Sequence, residues 1–368
     1  MKKKILISSL ATLLAIMATI STCAGIGYIT QAVNGHFKLM RSRVPIDKIL
    51  SDPAQDTLLK QKLLMVQQIH EFAVRELGLP DNKSYTLYGE IKTEELGWNI
   101  YCTPEFSTNP RKWRFPIAGS TVYRGYFSKK MAIRYARKME RKGYDVYITP
   151  IVAYSTLGFF NDPILNTHLR MDTIRLAGMI IHEMAHQRYY NKKDSRFSES
   201  FAVAVERAGV LRWLESINRP DQKAKAKEMW ARQDSINNLY LAARDTLSKL
   251  YATALPPLTS QDSAALRRQK DSIFARLTLQ IKELNQSFGI STLQNDQATK
   301  TKNNNTSEKN RTETIPDEFR KLNNARLIPV STYYSLVPTF LRQLDSLNGD
   351  FRKFFNLCGT DFSKVQNY

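Results

Sequence analysis

His182, Glu183 and His186 stand in the order H-E-x-x-H. On a helix, residues four apart project from one face, a turn above one another. Two imidazoles placed this way can share a metal ion, and Glu183 can reach a water held by that ion. Zinc lowers the pKa of such a water to about 7, and a nearby carboxylate can take its proton. The chemistry expected is amide-bond hydrolysis with Zn2+ as cofactor. Because the motif also arises by chance, its surroundings matter. The chain has five histidines, and two of them fall in this one turn. Leu176 to Asn191 contains no proline, and Leu176, Met179, Ile180 and Met184 recur at spacings of three and four. That is the pattern of a helix packed on a core. His70-Glu71 begins a similar string, but Val74 stands where a second histidine would be needed, so His70 reads as structural.

A zinc hydrolase needs a third protein ligand and one open position. The polar turn Asn191 to Asp194 leads into a second helical pattern, Phe197 to Trp213. It carries Glu199, thirteen residues after His186, and Glu206, seven residues further on nearly the same face. An antiparallel return could bring either carboxylate to the metal. Glu199 is closer to the turn and is preferred. The plainer roles are a helix-start carboxylate for Glu199 and a surface ion pair with Arg207 or Arg212 for Glu206.

The elements that must position these groups are mainly helical. Gly27 to Met40 reads as a short helix, and Asp56 to Leu79 as a longer one stopped by Gly78 and Pro80. Tyr85 to Ile100 reads as extended and Trp113 to Phe127 as a hairpin. Ser128 and Gly143 bracket a helix rich in lysine and arginine, whose basic face is either solvated or set against envelope polyanions. Tyr144 to Ser155 is a strand pattern interrupted by Pro150, which suggests a sheet edge. Residues 221–254 and Ser263 to Gln286 read as a helical hairpin broken at Pro256-Pro257. Residues 285–315 are polar and are expected to form a disordered loop. Order returns in a C-terminal helical segment, 316–368, that packs back on the body at 23–284.

The N-terminus has Lys2, Lys3 and Lys4, then an apolar run from Ile5 to Ile20, then Ser21, Thr22 and Cys23. This is the layout of a secretory signal over residues 1–22. Ile-Ser-Thr-Cys is similar to a lipobox, with Cys23 as the lipidated residue, although Thr22 departs from the usual small residue. An uncleaved membrane anchor is the competing reading. Both put the body in the cell envelope, membrane-anchored and facing the periplasm or exterior. The formal charge of +20 falls to +17 without the three leader lysines, which suits an anionic membrane surface. No motif for reading or stacking bases accompanies that charge, so no nucleic acid partner is expected. Cys102 and Cys358 are expected to be buried free thiols.

The chain resembles a family of bacterial envelope proteins described as predicted zinc aminopeptidases. The likeness is carried by GYITQAVNGHFKLM, RSRVPIDKIL, FAVRELGLPDN, YRGYFS, GYDVY, AYSTLGFFNDP, LAGMIIHEMAHQ and FSESFAVAVERAGV, and later by NARLIPVSTYYSLVP. The resemblance implies His182, His186 and Glu199 as metal ligands and Glu183 as base. It also implies an α+β, mainly helical, zincin-like (gluzincin) fold with a small antiparallel or mixed sheet. It further implies that the strand before the motif helix pairs with an extended peptide substrate, which would put Tyr154, Ser155 and Gly158 near the cleft. Two departures stand out. Ser198 replaces the asparagine that often precedes the third ligand, and Arg114 and Ser120 stand where the family often has two cysteines stapling a hairpin.

Tyr333 and Tyr334 lie in the second block of likeness. A zinc peptidase often uses a phenol or imidazole to stabilise the developing oxyanion, so both are catalytic candidates, with aromatic packing as the plain alternative. His168 is a weaker candidate for that duty and reads as a polar loop residue. The expected function is zinc-dependent peptide-bond hydrolysis by a membrane-tethered protein, an aminopeptidase by resemblance. The alternatives are a non-catalytic scaffold lipoprotein with structural zinc, and a zinc endopeptidase or amidase acting on cell-wall peptides. For an aminopeptidase, Asp162 and Glu206 are the acidic candidates to receive a substrate amine.

Overall fold

A computed structural model of the chain describes residues 25–115, 119–153, 155–157, 160–254, 257–289 and 315–360. The signal segment, Cys23, Tyr154, Gly158, most of the polar loop and the last eight residues lie outside the described residues.

Helix α1 (Ile26–Arg41) leads into β1 (Arg43–Pro45), α2 (Ile46–Ser51) and α3 (Thr57–Arg75). α3 starts where it does because the Asp56 carboxylate accepts the Leu59 N–H at 2.8 Å. Strands β2 (Leu87–Gly89), β3 (Trp98–Pro104), β4 (Trp113–Phe115), β5 (Gly119–Thr121) and β6 (Tyr123–Tyr126) follow. Helix α4 (Lys129–Glu140) is capped by Ser128, whose hydroxyl accepts the Met131 N–H. Gly143, at φ +78°, takes the left-handed turn that releases the chain into β7 (Tyr144–Pro150). After β8 (Ile164–Leu165) come α5 (Thr173–Arg188) and α6 (Ser195–Ser216), each opened by an aspartate cap, Asp172 and Asp194.

Two long helices, α7 (Pro220–Ala252) and α8 (Ser260–Ser287), form the expected hairpin. The helix extends through Asn285, which is buried, and Ile315 is buried in the sheet core. Both ends of the expected loop are therefore ordered. Short helices α9 (Leu327–Tyr333), α10 (Val337–Ser346) and α11 (Phe351–Thr360) complete the described chain.

The strands form three small sheets instead of one. β1 pairs antiparallel with β2, which pairs parallel with β8. β3 lies between β6 and β7, antiparallel to both. β4 and β5 make a separate hairpin in which Arg114 sits directly opposite Ser120. The two positions at which the resembling family often carries cysteines are thus cross-strand neighbours here. Cys102 and Cys358 are both buried and free.

The main core is built by α3, α5, α6, α10 and α11, with Phe201, Phe340 and Phe354 fully buried at its centre. α6 is the axis of this core and is buried almost all round. Gly209 permits its close approach to α5. A methyl there would come within 2.7 Å of Leu77 and 3.1 Å of Ile181. A second core joins α4 to the β6-β3-β7 sheet.

The helical hairpin is fastened to that sheet by a buried ion pair. Lys270 Nζ lies 2.7 Å from the Asp145 carboxylate on β7 and also donates to the Glu105 carbonyl. Asp145 accepts the Asn324 N–H at 2.9 Å, and the Asn323 side chain donates to the Val146 carbonyl. This clasp fixes the point from which α9 departs toward the motif helix.

Candidate metal centre

α5 and α6 run antiparallel across the polar turn, and the register of their contacts builds the centre. His186, late in α5, meets Glu199, early in α6: Nε2 to Oε2 is 3.3 Å. One turn back, His182 Nε2 lies 3.5 Å from the same carboxylate oxygen. The two rings stand nearly perpendicular, 84° apart, with centroids at 4.8 Å. His182, His186 and Glu199 are the one group among the described residues whose ligand atoms converge as a metal site requires.

Glu206 has a different place from the one its spacing suggested. Two turns further along α6, its carboxylate lies 3.0 Å from His182 Nδ1, on the far side of the ring from Glu199. A carboxylate can only accept, so Nδ1 carries the hydrogen and Nε2 presents its lone pair to the centre. Gly178, one turn before His182, makes room for this contact. A Cβ there would sit 3.0 Å from the Glu206 Oε1.

The electrostatics are those of a cation site. Burial opposes a charged His182, but Glu199, Glu206 and Glu183 outweigh it and hold the ring well above its ordinary pKa. Burial also opposes an ionised Glu199, yet the His186 charge and the bonds from both histidines bring it down to about 2. Three lone-pair donors facing one another need a proton or a cation between them. Two imidazole nitrogens and one carboxylate oxygen, with one histidine braced from behind, suit a zinc ion. Nδ1 of His186 is buried with no partner among the described residues, so the bracing is one-sided.

Glu183 is half-buried and stands outside the converging set. Tyr333, on α9, lies across His182 with ring centroids 6.3 Å apart and planes 20° apart. Burial, then Glu199, pushes its phenol well above the usual range, with Tyr101, Tyr123 and Glu183 adding to the effect. It therefore remains a hydrogen donor. Tyr334 turns the other way. Its ring packs 5.8 Å from the Arg207 guanidinium, itself held bidentate by Asp234. Burial and Glu206 push the Tyr334 phenol to about 12. The adjacent tyrosines thus meet different neighbours, Tyr333 the His182 ring and Tyr334 the Arg207 guanidinium.

Other phenols were not anticipated. Burial, then the Glu199 charge, raises the phenol pKa of Tyr101 on β3, Tyr123 on β6 and Tyr190 beyond α5. Tyr123 lies in the YRGYFS stretch, the one sequence signal that could have marked it. β7 is an edge, but Asn323 occupies part of its free side. β6 is the opposite edge, and β5 just before it docks on the α5–α6 turn through Ser120 N–H to the Lys192 carbonyl and the Ser195 hydroxyl to the Ser120 carbonyl. β6 thus follows directly on the strand that docks on the α5–α6 turn.

Ser155 accepts the Leu157 N–H and opens a tight loop closed by Asp162. Both Asp162 oxygens are taken by Thr156, from its N–H and its hydroxyl at 2.8 Å each. Burial drives the Asp162 pKa up to about 6, with Glu183 adding to the effect, so this loop lies on the Glu183 side. Each acidic candidate for a substrate amine already has a partner: Asp162 accepts from Thr156, and Glu206 faces His182 Nδ1. His168 is fully buried, with Nδ1 accepting the Leu165 N–H, and is structural.

Three consecutive residues of α6 divide the work. The Ser198 hydroxyl accepts the Asn191 N–H at 2.9 Å and so ties the turn that sets the antiparallel return. Glu199 faces the histidines. The Ser200 hydroxyl donates to the Thr332 carbonyl and accepts the Leu336 N–H, both at 3.3 Å, which pins the end of α9 that carries Tyr333.

A family model described as "Putative aminopeptidase" matches residues 27–363. No curated protein matches the chain, and no solved structure does. The matched span takes in both histidines, all three glutamates of the centre and Tyr333, and the protein belongs to this aminopeptidase family.

Proposed function

We propose that the protein is a zinc-dependent peptidase of the aminopeptidase class, with His182, His186 and Glu199 as ligands and Glu183 as base. The observation that carries the reading is the separation of roles among three carboxylates. Glu199 faces both Nε2 atoms, Glu206 braces Nδ1 of His182, and Glu183, adjacent to His182 in the chain, stands outside the converging set. A purely structural site has no use for that third carboxylate.

Zinc held by these ligands supplies Lewis-acid polarisation of a carbonyl and a water acidified to near neutrality. Glu183 then removes a proton from the attacking water and returns it to the leaving amine. The Tyr333 hydroxyl, kept protonated by its surroundings, donates to the oxygen on which negative charge develops. An extended peptide aligned along β6 would present its backbone without its side chains being read. Attachment to an envelope membrane through the N-terminal segment, with lipidation at Cys23, completes the proposal.

The deciding experiment compares Glu183→Gln with Glu199→Ala in the full chain. The first should keep stoichiometric zinc and lose turnover of amino-acyl chromogenic substrates. The second should lose zinc and turnover together. Normal activity in Glu183→Gln would sink the mechanism, and a zinc-replete wild type without peptidase activity would favour the scaffold reading.

A further inference from the structure

α1 is docked on one face and carries two exposed large apolar side chains on the other. Its inner face places Leu39 with Leu96 and Leu165, and sets Tyr28 edge-on to Tyr126 at 5.1 Å. Gln31 accepts the Phe127 N–H at 2.9 Å. Its outer face leaves Val33 44% and Phe37 55% exposed, one turn apart. The His36 ring meets Phe160 at 4.8 Å, and Phe160 is itself 46% exposed on the loop held by Thr156. Val44, three residues past α1, and Val152, eight residues before Phe160, are exposed too, so five of the ten exposed large apolar side chains among the described residues lie on α1 or close in the chain to it or to Phe160. An ordered helix that keeps such residues in water marks an interaction surface.

The charges around this face indicate its partner. Lys38 and Arg41 are exposed on the same side of α1 as Phe37. No acidic residue occurs on α1, and no charged residue occurs between Lys4 and Lys38. α1 is also the first described element after the apolar stretch Ile5 to Ile20. We propose that this face seats the body on an anionic bilayer, with Val33, Phe37 and Phe160 entering the headgroup region and Lys38 and Arg41 meeting lipid phosphates. An amphipathic helix with basic residues beside its apolar face binds such a surface in its plane. The inference stands independently of the peptidase reading.

The test uses the full chain reconstituted in phosphatidylcholine vesicles, with and without phosphatidylglycerol, whose acyl chains carry bromine as a quencher. Tryptophan is introduced as Phe37→Trp, Phe160→Trp or, as a control on the exposed side of α8, Leu279→Trp, each variant matching the wild-type circular dichroism. The native tryptophans contribute equally to all three. Phe37→Trp and Phe160→Trp should be quenched severalfold more than Leu279→Trp. Quenching of Phe37→Trp should rise with phosphatidylglycerol, and adding Lys38→Glu with Arg41→Glu should abolish that rise. Quenching no greater than at Leu279→Trp would overturn the proposal and point to a protein covering, from residues 1–24 or a second copy. A rise that survives the charge reversal would overturn the assignment to anionic lipid.

Discussion

The Glu206 carboxylate lies 3.0 Å from Nδ1 of His182, on the opposite side of the ring from Glu199. This contact fixes the tautomer that exposes Nε2 and aims the ring at the centre. Bracing of this kind is typically worth 10- to 100-fold in metal affinity. Glu206→Ala should therefore weaken zinc binding by about 10- to 100-fold while leaving the fold intact. Competition against a chelator of known affinity measures it. Affinity equal to wild type would mean that the contact does not orient the ligand.

Tyr333 and Tyr334 are neighbours in sequence, yet Tyr333 stacks on His182 and Tyr334 packs on Arg207. Only Tyr333 lies against the Glu199 and Glu183 side. Tyr333→Phe should lower kcat by roughly 100- to 1000-fold, the usual loss for one oxyanion donor, with zinc retained. Tyr334→Phe should change kcat by less than about threefold, since its ring packs on Arg207 outside the reacting zone. Steady-state kinetics on one substrate decide the matter, and equal losses in the two variants would remove Tyr333 from its role.

Ser200 acts on Tyr333 through the backbone of α9. Removing its hydroxyl leaves the Thr332 carbonyl and the Leu336 N–H without that partner. Ser200→Ala should cost about 1–3 kcal/mol of stability. It should also lower kcat with little change in KM or zinc content, because the ligands stay in place. Denaturant unfolding and metal analysis provide the two readouts. A variant with wild-type kcat would show that α9 holds Tyr333 without this pin.

His168 should leave a signature in the pH dependence of stability. Its pKa is depressed from 6.5 to about 4 by burial. Its Nδ1 also accepts the Leu165 N–H, so protonation would set donor against donor. A depressed folded-state pKa gives stability that is fully present above 6.5 and lost as pH falls toward 4. The gap corresponds to about 3 kcal/mol. Urea unfolding between about pH 7 and 4 should show a shallower decline for His168→Gln than for wild type. Parallel declines would count against the assignment, since metal loss at low pH affects both proteins alike.

Much of the centre was legible in the chain because it depends on local periodicity. The four-residue interval puts His182 and His186 on one face wherever a helix forms, and the apolar spacing from Leu176 to Met184 ensures that it does. Asp56, Ser128, Asp172 and Asp194 start their helices through contacts three residues away, and such contacts are readable from sequence. The polar turn at Asn191 to Asp194 made an antiparallel return the natural expectation.

What stayed open were choices between groups of the same chemical type at the same periodicity. Glu199 and Glu206 share a face of α6, and only the packing distance of α5 against α6, set in part at Gly178 and Gly209, gives one to the metal side and the other to Nδ1. The same applies to Tyr333 and Tyr334. Each choice depends on contacts between residues far apart in the chain, such as Asn323 with Val146 or Ser200 with Thr332. Sequence alone set which side chains could act and along which helices they lie. Tertiary structure decided which of them converge, because convergence within 3.5 Å is a property of packed surfaces and not of spacing along one strand of backbone.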